Sequence, residues 1–453
     1  MASSHTSQRL RVSFDEPRLI PNAGLLLPAI LAQRLDLGRL IDEQVDLGKA
    51  VGRAHPGAKA MTLIASQLAG GDCISQADSL RAAGMEEVLG HRIFAPSTLG
   101  TFLRSFTYGH SRQLEKVSEL ALSRAWQLGL GPGDGPLTID LDSTICETYG
   151  VQKQGAQRRT YAKVRGYHPF LAIGAGSGVE SGEILHWSLR GGRASPHRGA
   201  ARFCTETLKR VRRAGARGAL VVRGDSGFYS AELVRACRAQ GVQFSITARQ
   251  YGSVVKALAE IPEAAWSPIP WAPGGSAEVA ETDYLAFANS HHGKAQAVAT
   301  RLIVRRDQKQ QPKGQLQLPG LYDYHAFITD RTGPVLELEA EHRGHAVVEN
   351  QIRELKYDLA LNHLPSGRFA ANAVWLALTA LAHNLAHWVA QLALERQPLT
   401  VKTVRRCFFS VPGRLVRSGR RRRLRLPSYW PWARQFLRAL ERLRPQRSAQ
   451  LLT

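Results

Sequence analysis

Cysteine is scarce in this 453-residue chain, and the five residues present, Cys73, Cys146, Cys204, Cys237 and Cys407, lie far apart with no Cys-x-x-Cys pair. That pattern excludes a disulfide framework and a structural zinc site. Acidic residues are in deficit, 37 against 60 lysines and arginines, which leaves a formal charge of +23. The imbalance points to a polyanionic partner. Low hydrophobicity is absent too: 44% of residues are hydrophobic and 21% charged, so the chain is expected to fold rather than stay disordered. The opening stretch MASSHTSQRLRV lacks the apolar core of a secretory signal. The most apolar helical stretch, 369–394, contains Asn372, His383, Asn384 and His387, which a membrane-spanning helix would bury at high cost. It is predicted to be an amphipathic or core helix, and the protein to be cytoplasmic with no membrane partner.

What charge there is sits unevenly. Residues 402–447 hold fifteen cations, among them Arg414 and the run Arg420, Arg421, Arg422 and Arg423, against the single anion Glu441. Phe408, Phe409, Leu424, Leu426, Tyr429, Trp430, Trp432 and Phe436 are interleaved with them, so this segment is expected to fold and to contact nucleic acid.

Residues 24–130 show apolar spacings of three and four, broken by turn signals at Gly70-Gly71-Asp72, Gly84 and Ala95-Pro96-Ser97, which predicts a set of short helices with Ser97 as an N-cap. After GLGPGDGPL the period changes. LTIDLD (137–142), HPFLAIGAG (168–176) and ILHWSLRGG (184–192) are predicted strands, followed by a helix over 199–214, the strand ALVVRGD (219–225), a helix over 229–240 and the strand VQFSITARQ. The order is that of a mixed α/β layer. Gly174, Gly176 and Gly178 fit a hairpin turn better than a dinucleotide fingerprint, because a strand follows them. Residues 251–340 are predicted to be a mostly β insertion, with helices resuming at about 342 and running to about 360, then from 369 to 394.

Three acids stand where this layout makes them convergent. Asp142 ends the first strand, Asp225 ends a later one, and Glu349 lies on the helix after the insertion. Functional groups in open α/β sheets collect beyond the carboxyl ends of strands, and paired carboxylates there suit magnesium or manganese. Side chains alternate along a strand, so Asp140 and Asp142 share a face and the pattern alone does not choose between them. On the Glu349 helix, His342, His345, Glu349, Arg353 and Lys356 fall within an arc of about 80°, beside the apolar stripe Val348, Ile352, Leu355 and Leu359. Lys163 and Arg165 belong to a basic stretch between the first two strands, suited to phosphate contact.

The succession DLDST, RGDSGFYSAEL, HRGHAVVENQIRELKYDL and VPGRLVRSGRRRRLRLPSYWPWA, spread over roughly 25 to 440, resembles the DDE transposases of bacterial insertion sequences, specifically transposase DDE group 1. The resemblance implies an α/β, ribonuclease-H-like mixed-sheet catalytic domain (131–250 and 341–365), interrupted by the β-rich insertion (251–340). A helical N-terminal DNA-binding region (1–130) and a helical, arginine-rich C-terminal one (366–453) would flank it. It implies Asp142, which precedes Ser-Thr, with Asp225 and Glu349 as the metal-holding triad for about two Mg2+ or Mn2+ ions. Lys356 would meet a phosphate, with Arg343 and His345 beside it. It also implies double-stranded DNA as partner, a homodimer when assembled on DNA, and a place on the nucleoid. A ribonuclease-H-like nuclease without strand transfer and a silent DNA-binding repressor are the alternative readings; a strand-transfer assay separates the first, and the intact triad speaks against the second.

Overall fold

The computed structural model describes residues 12–50, 52–82, 84–158, 163–176, 179–272, 277–289, 297–308, 322–394, 399–419 and 421–444. Its centre is a nine-stranded mixed sheet built on the predicted apolar runs: β1 (Leu137–Ser143), β2 (Phe170–Gly176), β3 (Val179–Ser188), β4 (Leu220–Gly224) and β5 (Gln243–Thr247). Strands β1, β2 and β3 form an antiparallel meander. Strands β4 and β5 run parallel to β1, each reached through a helix, Ala200–Ala214 and Ala231–Ala239. Leu137, Ile139, Leu141 and Val222 are fully buried, because parallel strands covered on both faces read as apolar runs. The order β3-β2-β1-β4-β5 with these directions is ribonuclease-H-like.

The 251–340 segment begins with a helix, Gly252–Ala259, and then supplies β6 (Ser267–Pro268), β7 (Ala277–Ala286), β8 (Val298–Gln308) and β9 (Tyr322–Thr329). Strand β9 pairs antiparallel with β5, so the inserted strands continue the main sheet in the order β9-β8-β7-β6. An otherwise open edge of β5 is thereby covered.

N-terminal helices Pro56–Ala69, Pro96–Arg104 and Tyr108–Ala125 pack around the long helix Phe369–Leu394, which also lies on β3. One apolar core runs through both layers, from Ile20 to Leu443. Pro96 opens its helix one residue before the predicted Ser97 cap; its fixed φ and missing N–H suit a first turn. Phe369–Leu394 is long and apolar enough to cross a membrane by length and composition, yet 83% of its most apolar window is buried inside the protein. Its polar residues are satisfied there: Asn372 donates to the Tyr167 hydroxyl at 3.1 Å, and Asn384 brackets both backbone groups of Ile184 at 2.8 and 2.9 Å.

The C-terminal segment departs from an all-helical expectation. Between Phe369–Leu394 and the last helix, Ala433–Leu443, the arginine run forms a hairpin of Gly413–Ser418 and Arg421–Arg425, joined by Leu19–Ile20 as a third strand. Leu415 and Leu424 face each other across the hairpin as a cross-strand pair and pack on the core. Gly419, at φ +61°, supplies the turn. Arg420 lies outside the described residues.

Candidate active site

The register between β1 and β4 sets Asp140 opposite Arg223 and Leu141 opposite Gly224. Asp142 and Asp225, each two residues further on, therefore emerge together at the carboxyl ends of adjacent strands. Asp225 is exposed and caps a short helical turn, accepting from the Gly227 amide at 2.9 Å. Asp142 is partly buried and accepts from the amide of Ser143 at 2.6 Å. The Ser143 hydroxyl is held in turn by His168 Nε2 at 3.0 Å, whose Nδ1 lies 2.7 Å from the Ala194 carbonyl, so the turn after the acid is fixed. Burial pushes the Asp142 carboxyl up to about 6; His345 and the Ser143 amide oppose the rise, while the Asp225 and Asp140 charges add to it.

Asp140 is differently placed. Its two oxygens take Arg223 Nε at 2.5 Å and Nη2 at 2.8 Å, and His345 Nδ1 donates to Oδ1 at 2.8 Å. Burial works to raise its pKa, but Arg223 and His345 prevail and hold the carboxyl below its ordinary value. Of the two acids that strand alternation leaves open, Asp140 is tied off in a buried ion cluster and Asp142 is not.

The third acid sits on a helical run that starts at Val335, earlier than predicted. Val335–Arg343 passes through a tighter turn, Gly344–Ala346, into Val347–Arg353 and a wider turn, Glu354–Asp358. Val348, Ile352, Leu355 and Leu359 are buried as expected, and Glu349 is exposed beside them. Glu349 follows His345 by one helical turn, so it shares the ridge that reaches Asp140. A cleft of about 550 Å³ opens along this ridge, lined among others by His342, Arg343, His345 and Glu349.

Not every cation on the ridge is open to a ligand. His345, predicted beside a phosphate, is turned inward because the buried Asp140 carboxylate is the nearer negative charge; burial disfavours its proton, but the Asp140 bond prevails and raises its pKa. His342 lies between Ser245 Oγ (2.8 Å) and Thr247 Oγ1 (3.0 Å), stacked on Phe327, and burial pushes it down to about 3, so it is neutral. Arg343 is about half exposed and lies 3.6 Å from Glu339. Lys356, two turns beyond Glu349, lines a separate groove of about 860 Å³ with Thr144, Tyr149, Lys153 and His363. Lys163 is exposed at φ +59°, whereas Arg165 spends its guanidinium on the Val151 and Ala156 carbonyls. On the hairpin, Arg414 and Arg422 are exposed and pair with Glu16 (3.1 Å) and Glu87 (2.6 Å), and Arg423 is exposed. The backbone of Arg421 is placed in its strand, opposite Ser418. Arg405, also in the basic segment, is structural: it donates to the Leu68, Gln67 and Asp358 carbonyls.

Sequence reasoning missed the supports behind this site. His383 Nε2 bonds Gln351 Oε1 and His387 Nε2 bonds Glu354 Oε2, both at 3.0 Å, and Glu354 also accepts from the Val401 amide, so the long helix clips the Glu349 helix from behind. Glu354, His383 and His387 are near enough to hold a metal, but each Nε2 already has its acceptor, and the group acts as a clamp. The available signal was the presence of histidines in an apolar helix; their partners were not legible. Arg223, a charge on an otherwise apolar strand, carried a similar signal.

A mixed sheet in this order, with carboxylates at the ends of its two central strands and a third on a following helix, defines the ribonuclease-H-like class. The family described as transposase DDE domain group 1 matches residues 2–448, and the chain belongs to that family. Among solved structures, the chain is similar to the piggyBac transposase synaptic complex with hairpin DNA, at 11% identity and a TM-score of 0.40 over 86% of this chain and 79% of that one. A comparison with curated proteins found no match.

Proposed function

We propose that this chain is the transposase of a bacterial insertion sequence, cutting DNA at the element's ends and joining the freed 3′ ends to target DNA. The observation that carries this reading is the β1/β4 register, which sets Asp142 and Asp225 at the ends of adjacent strands, with His345, one turn before Glu349, bonded to Asp140 on β1. The donor set fits a hard divalent cation: oxygens only, with an Asp142 carboxyl whose charge is disfavoured by burial and by a second carboxylate, a conflict that Mg2+ or Mn2+ relieves. Asp142, Asp225 and Glu349 would hold the metal, which when bound, as a pair of ions, stabilises the attacking and leaving oxygens of phosphoryl transfer.

The chain's own residues do the rest. Asp142 gives up its proton to become a ligand, and the His168–Ser143 bond keeps its turn in place. Lys356 neutralises a phosphate at the groove beside β1. The C-terminal hairpin sets Arg414 opposite Arg425 and Arg417 opposite Arg422, like-charge pairs that destabilise a free hairpin and favour a phosphate backbone laid across it. No covalent protein nucleophile is needed: water attacks first, and the DNA 3′-hydroxyl second. Joining two ends in concert calls for two copies, each serving one end, acting on the nucleoid in the cytoplasm.

The decisive experiment incubates the purified chain with DNA carrying its own flanking sequence, Mg2+ and a supercoiled target. Cleavage at the ends followed by joined product is expected; cleavage without joining, even from a pre-cut end, identifies a nuclease instead.

A further inference from the structure

Each acid-bearing element carries, one structural repeat before its acid, a member of one largely buried cluster in which Asp140 binds both of the others. Asp140 precedes Asp142 by two on β1, and Arg223 precedes Asp225 by two on β4. His345 precedes Glu349 by four on the helix. Two and four are the same-side repeats of strand and helix, so this inner set runs parallel to the acids themselves. Asp140 accepts the Arg223 fork at 2.5 and 2.8 Å and His345 Nδ1 at 2.8 Å. Arg223 also donates to the Glu341 carbonyl, so one guanidinium spans strand and helix. Gly344 leaves it room: a Cβ there would stand 2.7 Å from Arg223 Nη1.

We propose that Asp140, Arg223 and His345, with Gly344 as their clearance, are the positioning residues of the active site, a buried clamp that sets the Glu349 helix against the ends of β1 and β4. The proposal rests on the reading of Asp142, Asp225 and Glu349 as the metal-holding acids. Strands β1 and β4 are already registered by their backbone ladder. The helix has no ladder to the sheet, and only side chains fix its height and rotation. Magnesium demands near-ideal geometry, so an acid displaced by about 1 Å no longer serves. A fork-shaped guanidinium on a buried carboxylate is a directional link, which a lysine at the same place does not reproduce.

The test uses the full chain, DNA carrying its own flanking ends, and a Mn2+ titration. Gly344→Ala, Arg223→Lys, Asp140→Asn and His345→Ala are each expected to lower the saturating cleavage rate by about 10- to 100-fold and to raise the Mn2+ needed for half-maximal cleavage several-fold, the range typical of groups that orient metal ligands. Affinity for the same DNA without divalent ions stays within about twofold, since phosphate contacts dominate it. His345→Asn, which keeps a donor near Nδ1, restores most of the rate. Gly344→Ala leaves every charge paired and adds one methyl, so it carries the test if Asp140→Asn fails to fold. Folded variants that keep the wild-type rate and Mn2+ dependence overturn the proposal, as does a rate that falls only with the folded fraction while the Mn2+ midpoint stays put. Wild-type cleavage by Asp142→Asn in the same assay would instead overturn the assignment of the acids.

Discussion

The carboxyl ends of β1 and β4 and the C-terminal hairpin both crowd like charges that folding alone would disperse, and they differ in how those charges meet water. Asp142 and Asp225 form a site in which burial and mutual repulsion push a carboxyl up to about 6. The arginines at 414, 417, 422, 423 and 425 are exposed on a two-stranded ribbon, two pairs of them directly opposite one another. A partly buried pair of like charges is relieved by a compact, stoichiometric counterion and is little screened by salt. An exposed row is relieved by an extended polyanion and is screened strongly. On the proposed function, the acids serve the chemistry and the arginines the affinity.

The sharpest way to break that division is to remove one acid. Asp142→Ala, Asp225→Ala and Glu349→Ala are each expected to reduce end cleavage by on the order of 10³-fold or more while leaving DNA affinity within a few-fold. Gel shifts and cleavage on the same DNA compare the two directly. An active Asp142→Ala beside a dead Asp140→Ala would reverse the roles assigned to that pair.

Replacing the five exposed hairpin arginines with threonine has the complementary outcome. At about 0.9 per phosphate contact, the slope of log affinity against log salt should flatten by roughly 4 to 5 units, similarly on cognate and random DNA. Cognate preference lost while random-DNA affinity is kept would show that the hairpin reads bases.

A third test concerns protons at the acidic site. Metal must displace the Asp142 proton, so Mn2+ affinity measured by calorimetry should rise by about tenfold per pH unit up to about pH 6 and level off above it. A flat profile from pH 5 to 6 removes Asp142 from the ligand set.

Glu183 sharpens the comparison with the smallest effect. It is a buried acid that keeps its proton rather than gaining a counterion, pushed by burial up to about 8 although Trp126 and Trp388 both donate to it. Its folded pKa exceeds the unfolded one, so its contribution is full below about pH 4.5 and declines as pH rises towards 8, by roughly 1 kcal/mol per unit. Glu183→Gln should remove that slope from chemical-denaturation stabilities between pH 5 and 8; an unchanged slope would place the titration elsewhere.

Much of this arrangement is legible in the chain. Periodicity marks β1, β4 and the helices over 200–214, 231–239 and 369–394 to within a few residues, because their apolar repeats are set by which faces are buried. The strand-terminal aspartates and the helix ridge around Glu349 follow from the same repeats. The start of that helix is less visible, since Val335–Arg343 interleaves Glu337, Glu339, Glu341 and Arg343 with its apolar residues and gains its order by packing against β7 and β8. The arginine hairpin is also obscured: its strand pattern rests on Leu415 and Leu424 alone, amid residues whose charges carry no period.

What the sequence determined by itself is whatever depends on local repeat and composition: a mixed α/β sheet, the acids at its strand ends, an excess of cations near the C-terminus. The choice between Asp140 and Asp142 was decided only in three dimensions. Both point the same way from β1, and a repeat of two makes them equivalent until Arg223 arrives from β4 and His345 from the helix. Likewise His383 and His387 look like flaws in an apolar helix until Gln351 and Glu354 are packed against them. A buried charge or ring nitrogen takes its role from the partner that satisfies it, and when that partner lies on another element only the tertiary fold brings the two together.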